Sequence, residues 1–257
     1  MKAWLALLLV LPAQGALAGA WTREADSAQQ ITSLVGSMAD HSFDTPAPIR
    51  YRKALLQTYN EYGWRDGVTL FAATESAYVE VTQRGLAPYS AFDNAVEGGA
   101  RFRLRHGNWG VLSVETSLRT AGAFNFAVAA NPGAGGDGGR LRLLYGRSFR
   151  WRGRYGFLDV GAGRQFLSGA RADETALDVT AGLWVTPGNM VMAQSFNIFA
   201  GAGAIAAYPA FETHKLQVSW VRQMSRHFSL QTAGFISPAG RNALDEQGFA
   251  LSVWTRF

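Results

Sequence analysis

The most constraining feature of this chain is a period-two alternation of apolar and polar residues that recurs along most of its length. In "AVEGGARFRLR" (95–105), Val96, Gly98, Ala100, Phe102 and Leu104 share one face, and Glu97, Gly99, Arg101, Arg103 and Arg105 share the other. A helix would mix these two sets, whereas a strand separates them. In "GVLSVETSLR", Leu112, Val114, Thr116 and Leu118 oppose Ser113, Glu115 and Ser117. In "GRLRLLYGRSF", Leu141, Leu143, Tyr145 and Phe149 oppose Arg140 and Arg142. "GFLDVGAGRQF" sets Leu158, Val160 and Ala162 against Asp159, Gly161, Gly163 and Gln165. "ADETALDVTAGLWV" sets Leu177, Val179, Ala181 and Leu183 against Asp178, Thr180 and Gly182. "HKLQVSWVRQM" sets Leu216, Val218 and Trp220 against Lys215, Gln217 and Ser219. Weaker stretches lie at 29–37, 50–62, 68–77, 190–199 and 228–236, and a closing one runs over 247–257. Together they make about twelve strands, and no long segment has a helical period.

The connections narrow the class further. "GWRDG", "HGNW", "RWRGR", "TPGN" and "SRH" are short and rich in turn formers, as hairpins require. The others are long, at 38–49, 78–94, 119–139, 166–172, 200–211 and 237–246. Short and long therefore alternate along the chain. A sandwich in water has no reason to keep that order, but a transmembrane barrel has short periplasmic turns and longer external loops. About twenty residues per strand plus connection leave room for the ~9–11 that a tilted strand needs to span. The expected fold is all-β: an antiparallel transmembrane β-barrel of about twelve strands.

The two ends agree. "MKAWLALLLVLPAQGALAGAW" carries Lys2, an apolar run from Trp4 to Leu11 and the small residues Ala16 and Ala18. This is the layout of a secretory signal cleaved after Ala18, so 1–18 are assigned to the leader and 19–257 to the barrel. The apolar run is too short for a membrane helix, and no later stretch approaches the necessary length. At the other end Phe249, Leu251, Val253, Thr255 and Phe257 form an apolar stripe that ends on the last residue. If that stripe faces lipid, the last strand must pair with the first, because unpaired backbone groups in hydrocarbon cost several kcal/mol each. A terminal Phe257 also resembles the signal by which outer-membrane barrels are recognised by the barrel-assembly machinery. The chain has no cysteine, so thiolate chemistry and disulfide scaffolds are excluded. Its +5 net charge is scattered rather than blocked, which argues against nucleic acid. The expected location is the outer membrane of a Gram-negative bacterium, in contact with lipid and lipopolysaccharide.

"GAWTREADSAQQIT", "LLQTYNEYGWRDGVTLFAATE", "LRLLYGRSF" and "AGRNALDEQGFALSVWTRF" resemble a broad proteobacterial family of outer-membrane barrels associated with the meta-pathway of phenol degradation. The resemblance implies solute transport. It rests on strand and turn patterns and brings no functional residues with it.

The polar faces supply the candidate residues. Glu97, Arg101, Arg103, Arg105, Glu115, Arg140, Arg142, Asp159, Arg164, Asp178, Lys215 and Arg256 all oppose apolar stripes. A charge on the lipid face costs about 2–4 kcal/mol at the midplane, so these are expected to point inward. They either line a basic pore that passes a small solute or fill a narrow barrel with a salt-bridge ladder. Arg101, Arg103 and Arg142 are the foremost lining candidates, because arginine outnumbers acid on those strands. Trp64, Trp109, Trp151 and Trp184 fall at or beside short turns, the place of a periplasmic aromatic girdle. The glycine-rich 120–140 is either an inward-folding constriction or an external loop, and "NIFAGAGAIAAYPAF" either a portal or strand extension. "GGDGG" lacks the Lys-Ser/Thr of a phosphate cradle, no cofactor motif is present, and His41, His106, His214 and His227 have no metal-ligand spacing. The expected function is passive passage of small, aromatic or hydrophobic solutes without catalysis. The alternatives are a plugged structural or adhesive barrel, and a membrane-embedded hydrolase pairing His214 with Ser168 or Ser237.

Overall fold

The computed structural model describes residues 19–44, 48–83, 88–121, 137–204 and 208–257. The leader, and the centres of the 120–140 and 197–211 segments, lie outside these residues. The described chain forms twelve strands: β1 (Ala28–Ala39), β2 (Ile49–Arg65), β3 (Val68–Gln83), β4 (Tyr89–Gly107), β5 (Gly110–Ala121), β6 (Gly138–Trp151), β7 (Arg154–Leu167), β8 (Glu174–Thr186), β9 (Asn189–Ala200), β10 (Phe211–Gln223), β11 (Phe228–Arg241) and β12 (Gln247–Arg256). Each pairs antiparallel with its neighbours in the chain, and β1 pairs with β12 to close the barrel. That seam runs unbroken from Gln29 opposite Arg256 to Met38 opposite Gln247. Two backbone bonds between Ala28 and Phe257 extend it, at 2.9 and 3.2 Å.

Alternation decides what each wall faces. Leu34, Leu56, Leu118, Leu141, Leu143, Val218, Phe249 and Leu251 stand exposed on the outside. A continuous apolar belt of this kind is unstable in water and stable in hydrocarbon. Inside, polar groups are interleaved with buried apolar side chains, which gather in two clusters. Phe157, Met190, Met192, Val221 and Trp254 form one of them, and Ala39, Tyr51, Val79 and Leu244 the other. The short turns are tight: Arg152 and Gly153 both take positive φ, 49° and 78°, which matches the twist of the flanking strands.

Several external connections are shorter than the alternation suggests. β3 continues to Gln83 and β4 begins at Tyr89, so most of 78–94 is strand, and β11 continues to Arg241. Beyond the hydrocarbon the outward positions of β3 turn polar at Glu80 and Thr82 while the inward ones stay packed, so pairing persists after the apolar stripe has ended. Register shifts at Gly63/Arg65, Arg103/Arg105 and Trp184/Thr186 mark the other end of the barrel. Each inserts a residue next to a short turn and resets the alternation beyond it.

Deleting Phe257 removes the last two seam bonds together with the terminal outward ring. The heat-modifiable folded species should fall several-fold in membranes, and Phe257→Asp, which keeps the backbone bonds, separates the contribution of the ring. Unchanged folded protein in both variants would refute a role for this residue in assembly.

Candidate functional site in the barrel lumen

The first described residues do not leave the barrel. Gly19–Ser27 run across the lumen on its short-turn side, along the wall from β2 to β7. The Glu24 carbonyl lies against Gly63, where a Cβ would strike it. The Arg23 amide donates to Thr69 Oγ1 at 2.7 Å, and its guanidinium pairs with Glu61 at 2.8 Å and reaches Gln29. Trp21 meets Phe157 edge to face at 6.2 Å between centroids, with its ring seated on Gly146. Ala20 is fully buried; its amide donates to Asp159 Oδ2 at 2.7 Å, and its carbonyl accepts from Ser113 Oγ. Gly63 and Gly146 make this strap possible, because a side chain at either would occupy its path.

Above the strap lies a charged wall. Arg101 is 2 % exposed and uses all five guanidinium N–H donors. Its Nε and Nη2 donate to Glu115 at 3.0 and 2.7 Å, and Nη1 donates to Glu61 at 2.9 Å and the Trp21 carbonyl at 3.1 Å. The remaining bond runs from Nη2 to the Tyr59 hydroxyl at 3.1 Å. Arg142 spans Glu115 at 3.4 Å and Asp178 at 2.6 Å. Glu97 takes Ser117 Oγ at 2.6 Å and Arg140 at 3.2 Å, with Arg119 at 3.7 Å. Arg119 in turn holds Glu75 at 2.6 Å. The candidate arginines of β4 and β6 are therefore brought together with acids rather than with each other.

The opposite wall, from β9 to β1, is uncharged at the level of the cavity. A cavity of about 330 Å³ lies between strap and wall, lined by Ser33, Gln57, Gln194, Gln217 and Ser252 among others, with Gly19 and Asp159 at one side. Its amides bond one another: Gln217 Nε2 donates to Gln194 Oε1 at 2.9 Å, and Gln231 receives Trp254 Nε1 at 3.0 Å. On the external side, the connection between β11 and β12 turns inward. Leu244 bridges to Ser42 and packs on Tyr51 and Val79. Glu246 is gripped by Lys53 at 3.1 Å, Lys215 at 2.9 Å and the Ser37 hydroxyl. Burial opposes ionisation of Glu246, but the two lysines and the hydrogen bonds outweigh it and hold the carboxyl down to about 2.

Three expected placements, Arg105, Arg164 and Trp184, are corrected, and Arg103 proves to lie at the rim. After the bulge Arg105 stands opposite Leu112, on the outward face, at the short-turn end. Arg103 keeps the inward register opposite Ser113 but sits at the rim, paired at 2.7 Å with the turn residue Asp66. Arg164 lies outward opposite Leu141 and pairs with Asp173 at 3.2 Å near the external end, where water accepts a charge. Trp184 is opposite Met190 and packs inside the barrel against the Phe157–Trp254 cluster, so it belongs to no girdle. Trp64, Trp109 and Trp151 are exposed at the short turns; Arg65 and Arg152 cover the first and third, and Tyr145 stacks on the second at 6.1 Å. His214 does not meet the proposed serines. Its Nδ1 faces Asn197 Oδ1 at 2.8 Å, while Ser168 Oγ donates to the Asp137 carbonyl and Ser237 is buried with its amide on the Glu246 carbonyl.

The strap, Glu61 and the amide wall were not among the expected site residues. Continuing the "ALDVTAGLWV" alternation by one step would have placed Trp184 inside. "NMVMAQSF" offers no such signal, because both of its faces mix apolar with polar residues.

No family model matches the sequence, and no curated protein matches it. Among solved structures, the COG4313 outer-membrane channel from Pseudomonas putida F1 is similar, with a TM-score of 0.66 and 15 % identity over 92 % of this chain and 97 % of that one. The translocator domain of the autotransporter NalP from Neisseria meningitidis gives a TM-score of 0.53 and 12 % identity over 90 % and 88 %. KdgM porin gives 0.52 and 9 % over 88 % and 99 %. The fold is that of the outer-membrane β-barrels.

Two predictions follow from the charges. Arg101→Gln leaves Glu61 and Glu115 without their shared partner in a buried place and should cost about 3–5 kcal/mol. The midpoint of heat-modified gel migration should drop accordingly, and an unshifted midpoint would contradict the pairing. The Glu246 carboxyl lies below its ordinary value of 4.5, so its stabilisation is complete above that pH and lost as pH falls toward 2. Between those limits wild type should lose about 3 kcal/mol that Glu246→Gln does not lose. Parallel acid titrations of the two proteins measure it.

Proposed function

We propose that this chain is an outer-membrane channel for small solutes, exported by a leader cleaved after Ala18 and closed at rest by its own N-terminal strap. The observation that carries the reading is a cavity of about 330 Å³ inside a closed barrel, walled by strands and met at one side by Gly19 of the strap. Strands cannot leave the wall without exposing unpaired backbone to hydrocarbon, whereas the strap is tied by side chains and a few backbone groups. The channel fold of the Pseudomonas structure and of the porins supports this reading, as does the resemblance to the phenol meta-pathway barrels, with aromatic or hydrophobic solutes as the cargo. Lipopolysaccharide surrounds the apolar belt, and the terminal strand engages the assembly machinery. The reading assigns the chain no catalytic chemistry.

One observation favours a second reading. Arg101 has no free donor, and its neighbours are paired, so the charged wall serves equally well as the filling of a structural barrel. Liposome swelling with arabinose separates the two. Trp21→Ala/Arg23→Ala, which loosens the strap, should raise the swelling rate several-fold over wild type. Gly146→Leu, which fills the seat of the Trp21 ring, should do the same. Folded variants that pass no more sugar than empty liposomes would establish the structural barrel.

A further inference from the structure

Lys53 and Lys215 project from β2 and β10, strands separated in the wall by β1, β12 and β11. They converge on one carboxylate, that of Glu246, at 3.1 and 2.9 Å, and the Ser37 hydroxyl adds a third donor. The group they hold belongs to no strand: Glu246 hangs from the connection between β11 and β12, its own carbonyl fixed by the Ser237 amide. Its side chain can swing away without breaking a ladder bond. The two cations and the hydroxyl are built into the wall, so they form a carboxylate clamp that one loop residue happens to fill.

The clamp stands one inward position further toward the external end than the cavity. On β10 the next inward position below Lys215 is Gln217, and on β1 the one below Ser37 is Val35; both line the cavity. Beneath them the lining is apolar and aromatic, with Phe157, Met192, Phe196 and Trp254, interrupted by amides that can bond a polar substituent. The volume of about 330 Å³ sits at the lower end of small-molecule sites, roughly 300–1,000 Å³. Asp159 stands at the opposite side of the cavity, engaged by the Ala20 amide. A second carboxylate on the ligand would meet it and be repelled.

We propose that the external half of the lumen binds a small monocarboxylic acid with an apolar body, and that Glu246 occupies its carboxylate subsite in the resting barrel. The inference rests on the channel reading only in treating this ligand as the solute in transit; the site itself is a matter of binding. The acid's carboxylate replaces Glu246 on Lys53 and Lys215, and its body points past Phe196, which pairs with Lys215, into the cavity beneath. Glu246 thereby competes with the ligand and keeps the clamp from filling with inorganic anions.

Calorimetric titration of the refolded full chain tests this, with benzoate as the probe and benzamide as its uncharged counterpart. Glu246→Gln should bind benzoate at least tenfold more tightly than wild type. The triple variant Lys53→Gln/Lys215→Gln/Glu246→Gln, which leaves no charge unpaired, should lose that gain. Should the triple not refold, Lys215→Gln/Glu246→Gln carries the same arm with a reduced gain. Benzamide should bind all of them alike. Benzoate binding that is no tighter in Glu246→Gln, or benzamide binding that changes in parallel, overturns the clamp. Swelling of liposomes is scored separately. A barrel that binds as expected but passes no solute removes the channel reading and keeps the site; one that passes solute without this binding pattern removes the site alone.

Discussion

Hydrocarbon offers a backbone no hydrogen-bond partner, and every other feature of this molecule is subordinate to that fact. Twelve strands satisfy one another around a circle, and the circle is complete only because β12 returns to β1 through the last residue. Closure fixes which side of each strand is in and which is out. Outside, the belt from Leu34 to Leu251 needs no partner beyond lipid. Inside, every charge must find another charge or a donor, because the narrow lumen holds little water to screen it. The ladder of Arg101, Glu115, Arg142 and Asp178 is the consequence.

The same constraint explains why the strap is tied so heavily. A segment without secondary structure that enters the barrel carries its own unpaired amides and carbonyls, and these must be met by the wall. Asp159, Ser113, Arg101 and Thr69 meet four of them, each from a different strand. The charged wall therefore has two tasks, to compensate itself and to seat the strap, and Arg101 performs both.

The fold was legible because lipid outside and polar groups inside give each strand maximal contrast. All twelve strands lie where the alternation put them, "AVEGGARFRLR" becoming β4 and "HKLQVSWVRQM" becoming β10. Legibility failed where that contrast vanishes. Above the membrane β3 and β11 extend past the end of the outward apolar stripe, and the inner face of β3 there is covered by the inward loop at Leu244. Next to the turns, bulges shift the register by one, so Arg105 emerges on the wrong side while its neighbour Arg103 does not. Arg164 shows the converse: its face was outward by plain alternation, and its charge survives there because Asp173 and water are at hand. The site was less legible still. Inward charges were identifiable one by one, but whether each arginine is free or paired depends on strands far apart in sequence. Arg101 meets Glu61 across 40 residues, and no local pattern encodes that distance.

The lumen's asymmetry is a second consequence of pairing across neighbouring strands. From β2 to β8 the inward charges pair across strands, as in Glu61, Arg101, Glu115, Arg142 and Asp178. From β9 through β12 to β1 the polar residues at the level of the cavity are amides and hydroxyls, such as Gln194, Gln217, Ser219, Gln231 and Ser252, which bond in short chains, and Lys215 stands beyond them toward the external end. The lumen presents committed charges on one side and adaptable dipoles beside Trp254 and Phe196 on the other. The free volume lies on the adaptable side because that is where no ion pair reaches across to fill it. The strap is pinned to the other side, where the fixed acceptors and donors are. Strap and cavity are thus separated by the distribution of charge around a single closed sheet.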